Sequence, residues 1–524
     1  MNTKEQLKRV FEQMPQRLAE VDRFIQGVTT HAYRSLRLIA NETLGRNPHT
    51  SDFLRKALFD VAPQYPGVLA VGWRLLRFYA INLAVFLLWT ANYATWRWLI
   101  AKGRTGLRET SRDLYLLDVF VFAHNVLPEG KYREQCFPGL TEVLEKKGNA
   151  VVIFPKFFGR LTPSRLLKLE RILAASGYQF VTEFDLMRWR DVLRYFGLLV
   201  LYPFDVIRLA LHCAGEKTSA MTQLLGAELL AGLDANVGQV FVRYLSGKRL
   251  STVVGEAAGS QKIYLVNWFE NQVIDKALFR GVREGRAPIT IFGVQSFIAY
   301  PAYLCERVAV SDSLFGMTPD IVLVNSAAYA TQPVAQRVGV SFRSGDLFHQ
   351  RIQWEKKTHA AIFLPYHRAY CEDVIALCST STTLLGQSLL VTTHPGSRMA
   401  HMPGLPQGWN YSSRSRFDLL ATTAIVISTE SSTLIEAAAL GTSVIVVAGQ
   451  SSFTCNPMLA EGRGELWEIA FDGDEVESAY HRLIDYRRTH PQRIRELAEF
   501  YKSQCFVEPT EEAIVAAFEL EKTG

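Results

Sequence analysis

Residues 424–448, AIVISTESSTLIEAAALGTSVIVVA, decide how the chain is read. The apolar run 424–427, closed by Ser428 and followed by the polar loop Thr429–Glu430–Ser431–Ser432, reads as a strand, 424–428, buried on both faces. Helical spacing follows from Thr433 to Leu440, Gly441 stops it, and a valine-rich strand begins at once, at 443–448. Strand, short loop, helix and strand in so few residues make a parallel β–α–β unit. Its loop sets several hydroxyls and backbone N–H groups at a helix start, where an anionic phosphate is well received. Glu436, one turn into the helix, is placed either to meet a ribose diol or, with Thr433, to close a capping box.

Working outward, SLLVTTHP (388–395) is a second strand that delivers His394 and Pro395 to the same carboxyl edge, with Arg398 just beyond in THPGSR. An imidazole there serves a phosphate or a leaving group, and a guanidinium pairs with phosphate. AAIFLPY (360–366) is a third strand, followed by a helix over 370–384, with His367 on the same edge. The earlier half alternates in the same way. Strands are expected at 114–122, 150–154, 180–184, 262–266, 289–293 and 321–325, and helices at 138–147, from Thr162 to Gly177, over much of 186–247 and at 270–284. The fold class is therefore α/β: two doubly wound parallel-sheet domains facing across a cleft, with an extra helical N-terminal region. The expected divisions are 1–112 (helical region), 113–325 (N-terminal α/β domain, acceptor side), 326–505 (C-terminal α/β domain, nucleotide-sugar side) and 506–524 (C-terminal helix).

The pairing of a strand-end His394–Pro395 with Ser431–Ser432 before a helix bearing Glu436 and then Ala439–Leu440–Gly441 resembles GT-B glycosyltransferases. It is most similar to the bacterial sialyltransferase and capsule Kdo-transferase groups. That resemblance implies a nucleotide-sugar donor, with a CMP-sugar favoured, held by His394, Pro395, Ser431 and Ser432, to which the placement of the residues adds Arg398, Thr433 and Glu436. A second resemblance, over 263–297 and 322–343, is to bacterial surface-carbohydrate biosynthesis proteins. Glu270–Asn271–Gln272 match one of their motifs and Gln295 another, although Ser296 stands where those proteins usually carry histidine. Asn271, Gln272, Gln295 and Arg343 are accordingly accessory site residues.

Inverting glycosyl transfer needs a base for the acceptor hydroxyl and stabilisation of the departing phosphate. Glu270, after the strand at 262–266, is the expected base; Glu256 and Asp185 are the other carboxylates near strand ends or loops. No D-x-D pair stands out, so no metal site and no cofactor beyond the co-substrate are expected. The expected acceptor is a saccharide or lipid-linked saccharide of a growing surface polysaccharide or glycolipid. Two other readings stand beside transfer: a non-catalytic scaffold of the same fold, and a sugar-nucleotide epimerase or polyol-phosphate transferase.

Composition limits the rest. At roughly 100–200 residues per domain, 524 residues make two to four domains, and 48% apolar with 21% charged is ordinary globular usage. A net charge of +6 is no nucleic-acid signature. Seven scattered cysteines without a C-x-x-C pair read as reduced cytoplasmic thiols, and the charged N-terminus carries no signal-peptide pattern. Mean hydropathy is nonetheless slightly positive, +0.04. The excess sits partly in the strands and partly in two stretches, 78–96 and 194–213. The first has 19 uncharged residues between arginines, close to the minimum for a spanning helix, while the second is split by Pro203 and Asp205. Contact with the inner membrane is the expectation that follows.

Overall fold

The computed structural model describes residues 4–47, 50–101, 112–159, 161–215, 219–257, 261–285, 287–295, 303–330, 335–394, 402–449 and 454–520. Two six-stranded sheets, parallel throughout, organise it. The first comprises β1 (Leu114–Phe122), β2 (Ala150–Phe158), β3 (Ile263–Trp268), β4 (Ile289–Val294), β5 (Ile321–Val324) and β6 (Gln336–Val338), in the order β2-β1-β3-β4-β5-β6. The second comprises β7 (His359–Phe363), β8 (Leu390–Thr392), β9 (Asn410–Tyr411), β10 (Thr423–Ser428), β11 (Ser443–Val447) and β12 (Trp467–Ala470), in the order β12-β11-β10-β7-β8-β9. Both are doubly wound sheets. The chain leaves the first strand in one direction and returns on its other side, so a crevice opens between β1 and β3 and between β7 and β10.

Both faces of each sheet are covered, which is why the strands read as continuous apolar runs. Leu117 and Val119 of β1 join one core while Leu114 and Leu116 join another; Val426 of β10 is divided in the same way from Ile425 and Ile427. After β10, the seven-residue helix Thr433–Ala439 ends at Gly441, whose φ of +66° lets the chain turn straight into β11. A Cβ there would lie 2.5 Å from the Trp354 ring, so glycine is required for space as well as conformation.

One polar cluster interrupts the first core. Asp118, midway along β1, accepts from Arg243 at 2.6 Å and from Asn267, and lies 3.2 Å from Lys156, whose ammonium also meets Asp275 at 2.7 Å. All five side chains are buried. Burial alone would pull the Lys156 ammonium down, but Asp118 and Asp275 outweigh it and hold its pKa above the ordinary value. Lys156 also reaches toward the Trp268 carbonyl at the carboxyl end of β3, so the cluster underlies the loop that carries Glu270.

Several expectations are corrected. The strand expected at 180–184 is a single bridge, Ile153 to Phe180, followed by the helical turn Glu183–Leu186. There the Thr182–Asp185 capping box takes the chain out of the sheet. Pro203 does not split the second apolar stretch, which forms one helix, Trp189–Gly215; the stretch 78–96 lies within a longer helical run made of Val68–Thr95 and its continuation Trp96–Ile100. The division expected after residue 325 falls short, because the short polar edge strand β6 at Gln336–Val338 still pairs with β5. The C-terminal helix expected within 506–524 runs from Glu511 to Phe518 and packs on the first domain. Phe518 packs on Phe292 of β4, with ring centroids 5.2 Å apart, and Arg337 donates to the Ala517 carbonyl. The N-terminal helix Lys4–Ala32 bridges both domains, burying Val10 to Ile25 in the first core while Phe11 meets Phe471 and Lys8 pairs with Glu475 beside the second sheet.

Candidate functional site

The carboxyl ends of β7, β8 and β10 converge on the crevice of the second sheet. β7 leads to Tyr366 and His367, β8 to His394 and β10 to Glu430. Tyr366 stands between the two imidazoles, its ring 5.1 Å from His367 and 5.3 Å from His394, and is 54% exposed. Burial lowers the His367 pKa. His394 is exposed as a residue, yet the protein packed around its ring, followed by the charges of Arg343, Arg416 and His367, brings its imidazole down to about 4. A neutral imidazole beside two guanidiniums is the electrostatic pattern of a site that receives an anion.

Those arginines come from opposite directions. Arg343 lies in the turn Phe342–Ser344, where the chain passes from the first sheet to the second, and Arg416 opens the helix Arg416–Leu420 ahead of β10. Arg416 donates to the Arg343 carbonyl and pairs with Glu436 at 3.1 Å. Arg343 in turn lies over the Trp268 ring at the end of β3, 5.7 Å from its centroid. Trp268 Nε1 donates to Glu270 at 2.8 Å, and Gln272 donates to the other carboxylate oxygen. Glu270 and His394 are thus linked across the cleft through Trp268 and Arg343. Burial raises the Glu270 carboxyl above the usual range, against the hydrogen bond from Trp268. Glu270 precedes the helix Val273–Glu284, whose N-cap is Gln272 and whose capping carboxylate is Asp275, so helix capping does not occupy it.

The remaining sequence candidates are distributed unevenly. Ser431 and Ser432 lie in the loop after β10, and Ser431 Oγ accepts from the Thr433 N–H at 3.3 Å. Glu436 makes no capping box; its buried carboxylate accepts from Ser344 at 2.7 Å and faces Arg416. Asn271 and Gln295 are buried and donate to the carbonyls of Arg307 and Glu306, at 3.1 and 3.0 Å. Both therefore brace the turn Leu304–Glu306 behind the cleft. Asp185 is taken up by its capping box and by Trp96, and Glu256 lies near the exposed end of the helix Gly238–Ala257. Pro395, Arg398 and Ser296 lie outside the described residues. Among the described residues no cluster of three or more His, Cys, Asp or Glu side chains is arranged to hold a metal ion.

Arg416 and Glu430, like Tyr366 and Trp268, escaped the sequence reading. Arg416 gave no signal beyond being one of several basic residues in a polar loop. Glu430 stood in the quoted stretch itself. It adopts a left-handed φ of +35°, and Tyr303, from beyond β4 of the first domain, donates to it at 3.1 Å. Burial, outweighing the hydrogen bonds from Tyr303 and Cys455, pushes its carboxyl up to about 8. The unfolded chain releases this proton near 4.5 and the folded chain only near 8. Folding is therefore favoured most at acid pH and loses that contribution as the pH climbs between those values. Glu430→Gln, which copies the protonated form, should raise Tm at pH 9 and leave it unchanged at pH 4, as read by calorimetry.

No protein-family profile and no curated protein matches the sequence. Solved structures do. The UDP-GlcNAc 2-epimerase from Neisseria meningitidis bound to UDP-GlcNAc is 10% identical, with 78% of this chain and 100% of that one covered and a TM-score of 0.42. An α,α-trehalose-phosphate synthase (UDP-forming) from Burkholderia xenovorans in complex with glucose-6-phosphate is 11% identical over 78% and 99% of the two chains, TM-score 0.40. The glycosyltransferase SnogD from Streptomyces nogalater is 12% identical over 78% and 99%, TM-score 0.35. Likenesses this distant bear on neither activity nor substrate.

Proposed function

We propose that the protein is a glycosyltransferase that moves a sugar from a nucleotide donor, a CMP-sugar by preference, to a saccharide or lipid-linked saccharide of a surface polysaccharide or glycolipid. The observation that carries this reading is the junction at the cleft. Arg343 lies against the Trp268–Glu270 pair of the first domain, and its charge adds to the burial that keeps His394 of the second neutral. Phosphate charge would be met by Arg343 and Arg416, the leaving phosphate by His394, and the base by the exposed face of Tyr366. Glu270 would take the acceptor proton. Glu430, with its carboxyl near 8, keeps its proton at neutral pH and would act as a hydrogen-bond donor rather than a base.

Thermal melting against a panel of nucleotides tests the donor side. CMP or UDP is expected to raise Tm, and His394→Ala to remove the rise without lowering the Tm of the free protein. A panel in which no nucleotide stabilises the protein would end the transferase reading; stabilisation without turnover on any acceptor would favour the scaffold.

A further inference from the structure

The two long apolar helices lie side by side and antiparallel. Tyr79 donates to the Val200 carbonyl, Phe86 meets Phe196 at 5.2 Å, and Tyr93 meets Trp189 at 4.9 Å, so the seam climbs one helix as it descends the other. On the helix Val68–Thr95, Phe78, Asn82, Trp89, Asn92 and Tyr93 form the face turned into the protein. That face is tied down by its polar groups. Asn82 bonds to the backbone of Ala235 and Val237, Asn92 to the Leu161 carbonyl, Trp89 to Glu183 and Tyr93 to the Met187 carbonyl. A helix held in this way cannot leave the domain to span a bilayer.

The opposite face is apolar and bare. Leu69 and Leu193 are 91% and 75% exposed, and Leu83, Leu87, Phe204 and Leu211 continue the surface along both helices. Helical spacing from the shared seam puts these side chains on one side of the pair, because antiparallel neighbours that bury the same rotational side also open the same side. Asp234 meets Arg74 and Arg77 at one end, and the other exposed charges that the two helices carry are cationic. The helix Val68–Thr95 has no acidic residue, and both aspartates of Trp189–Gly215 are spent inside the protein, Asp191 on Arg249 and Asp205 on Arg37. Arg97, Arg190 and Arg208 are exposed and make no ion pair among the described residues.

We propose that these paired helices dock the protein, lying flat, on an anionic lipid bilayer, with the leucines and phenylalanines in the acyl boundary and the arginines among the headgroups. The charge selects this occupant over a second copy of the chain, since self-association would press the exposed arginines Arg97, Arg190 and Arg208 against their own copies. The inference does not depend on the nucleotide reading.

Vesicle flotation of the full-length protein tests it. With vesicles of phosphatidylcholine and phosphatidylglycerol in equal parts, about tenfold more protein should float than with phosphatidylcholine alone, and high salt should reduce the difference. Leu83→Glu with Leu193→Glu should abolish flotation, and Arg190→Glu with Arg208→Glu should remove the preference for anionic vesicles. All four positions are exposed, and unchanged circular dichroism and Tm would verify the fold. Failure to float with anionic vesicles overturns the proposal, as does flotation that survives the leucine changes. A concentration-dependent dimer, abolished by the leucine changes in a protein that binds no vesicles, would give the face to a second copy instead.

Discussion

Glu270→Gln is expected to lower the turnover of sugar transfer by roughly 10²–10⁴-fold, the usual contribution of a positioned acid or base, while nucleotide binding persists. The substitution preserves shape and the hydrogen bond from Trp268 Nε1, which an amide oxygen accepts as well as a carboxylate does. What it removes is the ability to take a proton, together with the second oxygen that accepts from Gln272, whose amide must turn to offer its own oxygen instead. Because Arg343, His394 and Tyr366 are untouched, the nucleotide-induced rise in Tm should stay. Single-turnover transfer measured beside melting separates the two effects. Full turnover by Glu270→Gln would reject it as the base.

Asp118→Ala is expected to cost about 3–5 kcal/mol of folding stability, the usual result of breaking a buried ion pair from one side. The buried cluster as it stands balances Asp118 and Asp275 against Lys156 and Arg243. Without Asp118 it carries one excess positive charge in the core of the first sheet, and the Asn267 amide loses its carboxylate acceptor there. Urea titration followed by tryptophan fluorescence measures the loss. A change under about 1 kcal/mol, the range of an exposed pair, would show that water reaches the cluster. Since Lys156 also holds the Trp268 carbonyl, nucleotide-dependent properties of the second domain should move less than those of the Glu270 loop.

Much of this organisation was legible in the sequence, for local reasons. A parallel strand covered on both faces must be apolar throughout, and a short β–α–β turn needs its polar loop and its glycine. So β1, β10 and β11 were read almost to the residue, and His394 and Ser431–Ser432 were placed on one edge. The short edge strands β6 and β9 carried no such pattern. Three residues or two, polar and held by one neighbour, are decided by the partner strand and not by their own side chains. The site divides in the same way. Sequence placed Glu270 and His394 at strand ends in separate halves, because strand ends are local features. Their connection through Trp268 and Arg343, the role of Arg416, and the bond from Tyr303 that joins Glu430 to the other domain are contacts between residues far apart in the chain. So are the partners of Asp118, whose single charge in LYLLDVFVF marked a position but not what answers it. The apolar stretches show both sides at once. Composition alone determined that 78–96 and 194–213 seek an apolar surrounding. Only the tertiary structure decided that one face of each is anchored to the protein by buried hydrogen bonds and that the other is left open, since an amphipathic helix and a spanning one differ in what the asparagines find as partners.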